Sequence, residues 1–235
     1  MSVKNSAGCN SDCAECPAHE RSLFSLLAPS ERVGLAQEKT VRDFQQRDYL
    51  FRSGDAVHGI FCIAAGAVKV SQPQGERLVA LRFSAAGDWV GHRSIFTSET
   101  YRGTAQAKAR VRACFVPTST IQRIFAGNPA FANQLVRNMV HDLEAAERRL
   151  IQDRERNVPT RVISLLRTLD RQFGATVGDA RRLSIKLSKV EIAELVGASQ
   201  EVISRQFSKW KKAELLWEDG KLLYLSNRLL TRLTR

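Results

Sequence analysis

The sequence predicts an α+β fold in three consecutive parts: a strand-rich antiparallel sandwich or barrel, a long helix, and a C-terminal winged helix-turn-helix. Three observations carry this prediction. Residues 40–117 alternate short apolar stretches with turn dipeptides. Residues 127–157 hold a narrow apolar stripe at steps of three and four. Residues 187–226 pair two short, capped helices with a hairpin signal. At 235 residues, 43% hydrophobic and 26% charged, the chain suffices for one large domain or two ordinary ones and has a soluble globular composition. It contains no run of about 18 apolar residues. Its first residues, MSVKNSAGCN, lack the apolar core of a signal peptide. A cytoplasmic location without a membrane partner is therefore expected, where thiols stay reduced.

In the strand-rich part, YLFRSG, GIFCIAAGAVKV, RLVALRF and KARVRACFVP are separated by Ser53-Gly54-Asp55, Ala65-Gly66, Gln74-Gly75 and Ala86-Gly87-Asp88. Short strands at this spacing indicate an antiparallel sandwich or barrel. The long helix starts at Asn128, a suitable N-cap, with Pro129 at the first helical position. Leu135, Met139, Leu143 (or Asp142), Ala146, Leu150 and Asp153 then form a stripe resembling a coiled-coil seam, which predicts a homodimer interface. An amphipathic helix packed on its own domain is the alternative. Pro159 restarts the chain, residues 160–173 read as a helix, and GATVGDARR reads as a loop.

The C-terminal module carries the strongest local signal. Ser188 and Glu191 form an S-x-x-E capping box for a helix ending near Leu195. Val196-Gly197-Ala198 is the turn, and Ser199 caps a second helix from about Gln200 to Ala213. Asp219-Gly220 between apolar runs supplies the wing. On the second helix Glu201, Ser204 and Arg205 share one face, while Ile203 and Phe207 supply the inward face. Arginine grips guanine bidentately, glutamate accepts from cytosine, and serine reaches base or phosphate, so this face suits double-stranded DNA. Ser199, Gln200 and Lys209 complete the expected DNA-binding set, with Lys209, Lys211 and Lys212 toward the backbone. The net charge of +12 agrees, since residues 160–235 hold 15 Lys or Arg against 8 Asp or Glu, more than half the excess.

Three of the 5 cysteines, Cys9, Cys13 and Cys16, fall within eight residues. With His19 they could form a Cys3His zinc site, or they could act as a thiol redox switch. Their C-x3-C-x2-C spacing also occurs in radical-SAM enzymes, whose large α/β barrel this chain cannot supply. Cys62 reads as a small buried hydrophobe in a strand. His58 and His92 are candidate haem ligands. No nucleophile–base pair or phosphate loop is visible, so an enzyme is not expected.

Taken together, LFRSGD with GIFCIAAGAVKV, AAGDWVGHRSIF with its G-D-x-x-G turn, and the E-x-x-S-R of EVISR resemble the CRP/FNR family of bacterial transcription regulators over residues 40–230. The resemblance implies a cysteine-bearing segment (1–39), a cupin-like β-roll sensor (40–126), a dimerisation helix (127–157) and a winged helix-turn-helix (158–235). It implies a palindromic promoter site of the TTGAT…ATCAA type read by Glu201, Ser204 and Arg205, with RNA polymerase as a further partner. The cyclic-nucleotide branch carries an Arg-Ser pair where this chain reads GTAQAKA, and Gly91 is followed by His92, so no cyclic nucleotide is expected. The FNR branch holds a [4Fe–4S] cluster on three N-terminal cysteines and one on the roll. That implies Cys9, Cys13, Cys16 and Cys114 as ligands, with oxygen or nitric oxide as the signal controlling dimerisation. The other reading the resemblance allows is haem or another small ligand in the roll, with a zinc or thiol site at the N-terminus. The spacing departs from the FNR pattern, in which the third N-terminal cysteine follows a longer gap.

Overall fold

The computed structural model describes residues 13–231 apart from 98, 156 and 221, and for residues 14, 145 and 148–155 the backbone alone. Among the described residues, no helix is long and apolar enough to cross a membrane. The chain divides into two compact units, Met1–Leu78 with Arg82–Leu143, and Val79–Leu81 with Glu144–Arg235.

The first unit opens with short 3-10 turns at Cys13–Glu15, His19–Arg21 and Leu23–Leu26. Helix α1 (Pro29–Glu38) follows, with its proline in the first turn and Ala28 N–H donating to Glu31 Oε2 at 2.7 Å. Extended backbone at Leu27 and Ala28 separates the last turn from α1. The strands are β1 (Thr40–Phe44), β2 (Tyr49–Phe51), β3 (Gly59–Ala65), β4 (Val68–Gln74), β5 (Arg77–Ser84), β6 (Trp89–Val90), β7 (Thr104–Ala107) and β8 (Val111–Pro117). They form two four-stranded sheets, ordered β1-β8-β3-β6 and β2-β7-β4-β5.

Because strand side chains alternate, the first sheet has two buried faces. Phe61, Ile63, Val111 and Ala113 join Phe44, Leu50, Phe51, Val68 and Tyr101 in one core. Ile60, Cys62, Cys114 and Val116 point the other way, into a second core with Leu23, Phe24, Leu27, Leu35, Ile121, Ile124, Phe131 and Leu135. The N-terminal turns and the helices thus cover the outer face of the roll.

Two helices follow β8, not one. Helix α2 (Thr118–Gly127) buries Thr120, Ile121 and Ile124, a helix the residue pattern did not reveal. Helix α3 (Pro129–Glu155) begins as expected, Phe131 N–H donating to Asn128 Oδ1 at 3.0 Å. The residues of the expected seam divide between core and surface. Leu135 is buried in the outer core and Met139 packs against it. Leu143 and Ala146 of the expected seam are exposed, and Val136 and Val140 are exposed with them. The side chains of Leu150 and Asp153 lie outside the described residues. Helix α3 uses one side to close its own domain before any partner is met, which a two-sided apolar pattern does not reveal.

The second unit contains α4 (Val158–Phe173), capped by Asn157 Oδ1 accepting from Thr160 N–H at 3.1 Å. The GATVGDARR stretch is a hairpin rather than a loop. Strands β9 (Gly174–Val177) and β10 (Ala180–Leu183) pair with Val177 opposite Ala180, leaving Gly178-Asp179 as the turn. Helices α5 (Lys189–Val196) and α6 (Gln200–Lys212), strands β11 (Leu216–Asp219) and β12 (Leu222–Ser226) and helix α7 (Asn227–Thr231) complete it. Its sheet order is β11-β12-β10-β9.

Candidate metal centre and nucleic-acid interface

The cysteines are brought together by pleat and by chain crossing. Strands β3 and β8 are antiparallel neighbours in which Cys62 stands directly opposite Cys114. Side chains at directly opposite positions share a face with Cβ atoms roughly 4.5–5.5 Å apart. The N-terminal turns lie across this pair. Room for the crossing comes partly from Gly87, where an added Cβ would stand 2.5 Å from Arg21 Cβ.

Cys13, Cys16, Cys62 and Cys114 line one small cavity, partly open to solvent, with His19, Ser22 and Lys39. Lys39 Nζ donates to Cys13 Sγ at 3.1 Å. Ser22 Oγ and Cys62 Sγ are 3.4 Å apart. His19 Nδ1 is buried without a hydrogen-bond partner among the described residues. Burial pushes the Cys62 thiol up to about 12, the Ser22 hydrogen bond opposes this, and the neighbouring Cys114, Cys16 and Cys13 add to it.

Of the expected ligands, Cys13, Cys16 and Cys114 share this cavity, and Cys9 lies outside the described residues. Cys62 is buried as expected, but at the cavity wall rather than as plain core filler. Its signal was available in the sequence, in the equal pleat phase of two strand cysteines. Reading it required knowing that β3 pairs with β8. No three His, Cys, Asp or Glu side chains among the described residues stand close enough together to hold a single metal ion. The thiols instead surround a space. That donor set, soft, buried and flanked by an ammonium group, suits an iron–sulfur cluster, whose irons are held by separate thiolates.

The haem candidates differ in exposure. His58 is exposed, and His92 is buried with its basicity lowered to about 4 by desolvation, then by Arg82 and Arg93. The inner core of the roll is filled by rings. Phe51 stacks on Tyr101 at 3.9 Å, Phe44 and Phe61 meet edge-on at 5.8 Å, and Tyr101 OH donates to the Gly59 carbonyl at 2.6 Å.

In the second unit, Ser188 Oγ accepts from Glu191 N–H at 3.2 Å while Ser188 N–H donates to Glu191 Oε2 at 3.0 Å, the reciprocal box expected from sequence. Gly197 closes α5 in the left-handed conformation at φ 63°, and Ser199 Oγ accepts from Val202 N–H at 3.3 Å to open α6. Ile203, Phe207 and Trp210 are buried, while Gln200, Glu201, Arg205 and Lys209 are exposed and Ser204 is half-buried. Lys211 does not extend this face freely, because its ammonium donates to Glu218 on β11 at 2.5 Å. The wing turns one residue later than expected: Asp219 pairs with Leu222, so Asp219 ends the strand and Gly220 enters the turn at φ 58°.

A ligand-sensor roll followed by a winged helix-turn-helix defines a DNA-binding regulator. The cyclic nucleotide-binding domain model matches residues 41–128 and the Crp-like helix-turn-helix domain model matches residues 160–233. The chain belongs to the CRP/FNR family of transcription regulators, whose members bind DNA as homodimers. It is 24% identical over 226 residues to the fumarate and nitrate reduction regulatory protein of Vibrio cholerae, spanning 94% of this chain and 89% of that one. It is 27% identical over 207 residues to the CRP-like cAMP-activated global transcriptional regulator of Mycobacterium tuberculosis, spanning 87% and 92%. Among solved structures, FixK2 of Bradyrhizobium japonicum superposes with a TM-score of 0.70 at 19% identity, covering 81% of this chain and 95% of that one.

Proposed function

We propose that this protein senses oxygen, or a related oxidant such as nitric oxide, through a [4Fe–4S] cluster that governs its dimerisation and its binding to a TTGAT…ATCAA-like inverted repeat. The observation that carries the reading is the shared cavity of Cys13, Cys16 and Cys114, two on an N-terminal turn and one on a strand about a hundred residues away. Similarity to a fumarate and nitrate reduction regulator supports it. A cyclic nucleotide is disfavoured by the ring-filled interior of the roll and by the missing Arg-Ser pair.

When bound, the cluster supplies an oxidant-labile clasp between the N-terminal segment and the sheet. Cys13 and Cys16 hold the segment, Cys114 holds β8, and Lys39 offsets part of the thiolate charge. The held segment seats Phe24 against Trp89 at 4.8 Å, and Trp89 against Phe131 of α3 at 5.5 Å. Asn128, which caps α3, also donates through Nδ2 to Glu31 Oε2 at 2.8 Å. Order at the cysteines is thereby transmitted to the start of the helix whose exposed Val136, Val140 and Leu143 form the dimer stripe. The dimer sets two copies of α6 in successive major grooves, about 34 Å apart. Ser199, Gln200, Glu201, Ser204 and Arg205 face base edges and phosphates, and Lys209 faces the backbone.

Anaerobic purification with iron, sulfide and zinc analysis tests the reading. The expected result is four irons per chain with a broad visible iron–sulfur absorption that air removes along with dimer and DNA affinity. A sharp Soret band would indicate haem and overturn it. So would zinc alone, the second reading, which the buried Nδ1 of His19 at the cavity, without a partner among the described residues, favours.

A further inference from the structure

We infer that Cys62 is the fourth thiolate of the metal centre, with Cys13, Cys16 and Cys114, and that Cys9 is dispensable to it. The inference deepens the cluster reading above and rests on it.

Three observations carry it. Cys62 and Cys114 are cross-strand partners, so the rigid sheet itself presents two sulfurs on one face at fixed spacing. Both open onto the cavity that Cys13 and Cys16 close from the N-terminal side. Two sulfurs from the sheet and two from the covering turn surround the space from opposite sides, which four-thiolate ligation of a cluster requires. A lone Cys114 would leave the segment attached by a single anchor on the roll. The pair makes the sheet half of the site preorganised, so that only the Cys13–Cys16 turn must be ordered on assembly.

The position of Ser22 strengthens the assignment. Its hydroxyl sits 3.4 Å from Cys62 Sγ, on the segment side of the cavity. The segment thus presents oxygen, a poorer iron donor than sulfur, where it meets Cys62. The strand supplies the thiol at that place. The competing role for Cys62 is packing, in which case alanine of similar size would replace it without loss. His19 competes as a nitrogen ligand from the segment.

The test uses the full chain purified without oxygen, as wild type and as Cys62→Ala, Cys114→Ala, Cys9→Ala and His19→Gln, read by iron and sulfide content, visible spectrum and far-UV circular dichroism. Cys62→Ala is expected to lose the cluster as fully as Cys114→Ala, while Cys9→Ala and His19→Gln keep the wild-type iron content. Full iron in Cys62→Ala, or loss in Cys9→Ala, overturns the inference. The double variant Cys62→Ala with Ser22→Cys separates ligation from packing, because it returns a sulfur to the same neighbourhood. Recovery of iron attributes the loss to the missing thiolate, and continued loss attributes it to packing and overturns the assignment. Should the wild-type chain carry zinc and no iron, the cluster reading fails on its own. The zinc content of the same variants then decides whether Cys62 is a ligand. A chain holding neither metal overturns both.

Discussion

Leu135 and Val140 lie little more than one turn apart on α3 yet differ sharply in exposure, 2% against 48%, and that difference separates folding from dimerisation. Leu135→Ala removes a side chain packed among Phe24, Trp89 and Phe131 and leaves a cavity, costing about 2–5 kcal/mol. At about 2–4 °C per kcal/mol, the thermal midpoint should fall by roughly 4–20 °C. Val140→Asp touches no core, so the fold of the single chain should change by no more than about 0.5 kcal/mol. In a two-fold dimer, however, the same residue comes from both protomers near the axis. Two carboxylates buried there without partners cost about 3–5 kcal/mol, which weakens the dimer roughly 150- to 5,000-fold. Sedimentation velocity over a concentration series, on protein kept anaerobic, measures the dimer, and thermal melts followed by circular dichroism measure the fold. The reasoning fails if Val140→Asp sediments as wild type does, or if Leu135→Ala dissociates the dimer at an unchanged midpoint.

His92 stays neutral in the fold down to about 4, whereas unfolded histidine takes a proton near 6.5. Protonation then favours the unfolded chain, so stability present above pH 6.5 is lost as pH falls toward 4, by about 3 kcal/mol. Denaturant unfolding at a series of pH values should show a flatter profile for His92→Gln, and parallel profiles would contradict the assignment. Arg205→Ala should relax discrimination at one base pair of the half-site by about 1–3 kcal/mol, whereas Lys209→Ala should weaken binding across sequences and reduce the salt slope by about one. A site-library selection and salt titrations check both, and a shared uniform effect would remove the base-reading role of Arg205. Ser188→Ala should cost the fold about 1–2 kcal/mol, through the lost cap and the buried Glu191 carboxylate left with fewer donors. An unchanged midpoint in a melt would show the box to be idle.

The winged module was legible nearly to the residue because its signals are local: a reciprocal cap, a glycine in the left-handed turn, a serine cap, and buried residues four apart. The β9–β10 hairpin was missed because its turn, Gly178-Asp179, is flanked by small and charged residues rather than apolar alternation. The expected seam divides for a different reason. Leu135 and Met139 match the heptad period as well as Val136 and Val140 do, and only tertiary packing assigns one stripe to the roll and the other to solvent. At the candidate metal centre, residue type and clustering pointed to Cys13 and Cys16, and family resemblance to Cys114. Cys62 required the register of two strands about fifty residues apart, which no local pattern encodes.

That register also explains why cysteine chemistry could control a helix it does not touch directly. The sheet's outer face is a single packed surface on which Cys62, Cys114, Trp89, Phe131 and Leu135 are neighbours in one core. The N-terminal segment adds Leu23, Phe24 and Leu27 to that core, each buried apolar side chain contributing about 1.5–3 kcal/mol. Ordering the segment's backbone costs about 1–2 kcal/mol per residue. Apolar contact therefore offsets only part of that cost, and the proposed ligation at Cys13 and Cys16 would tip the balance. On the proposed reading, release of those two sulfurs would free Phe24 from Trp89 and loosen the Glu31–Asn128 tie at the cap of α3. The helix would then keep Leu135 in the roll but lose a fixed start, and Val136, Val140 and Leu143 would lose the single orientation in which the proposed dimer needs them. The coupling works through a shared core rather than a moving part.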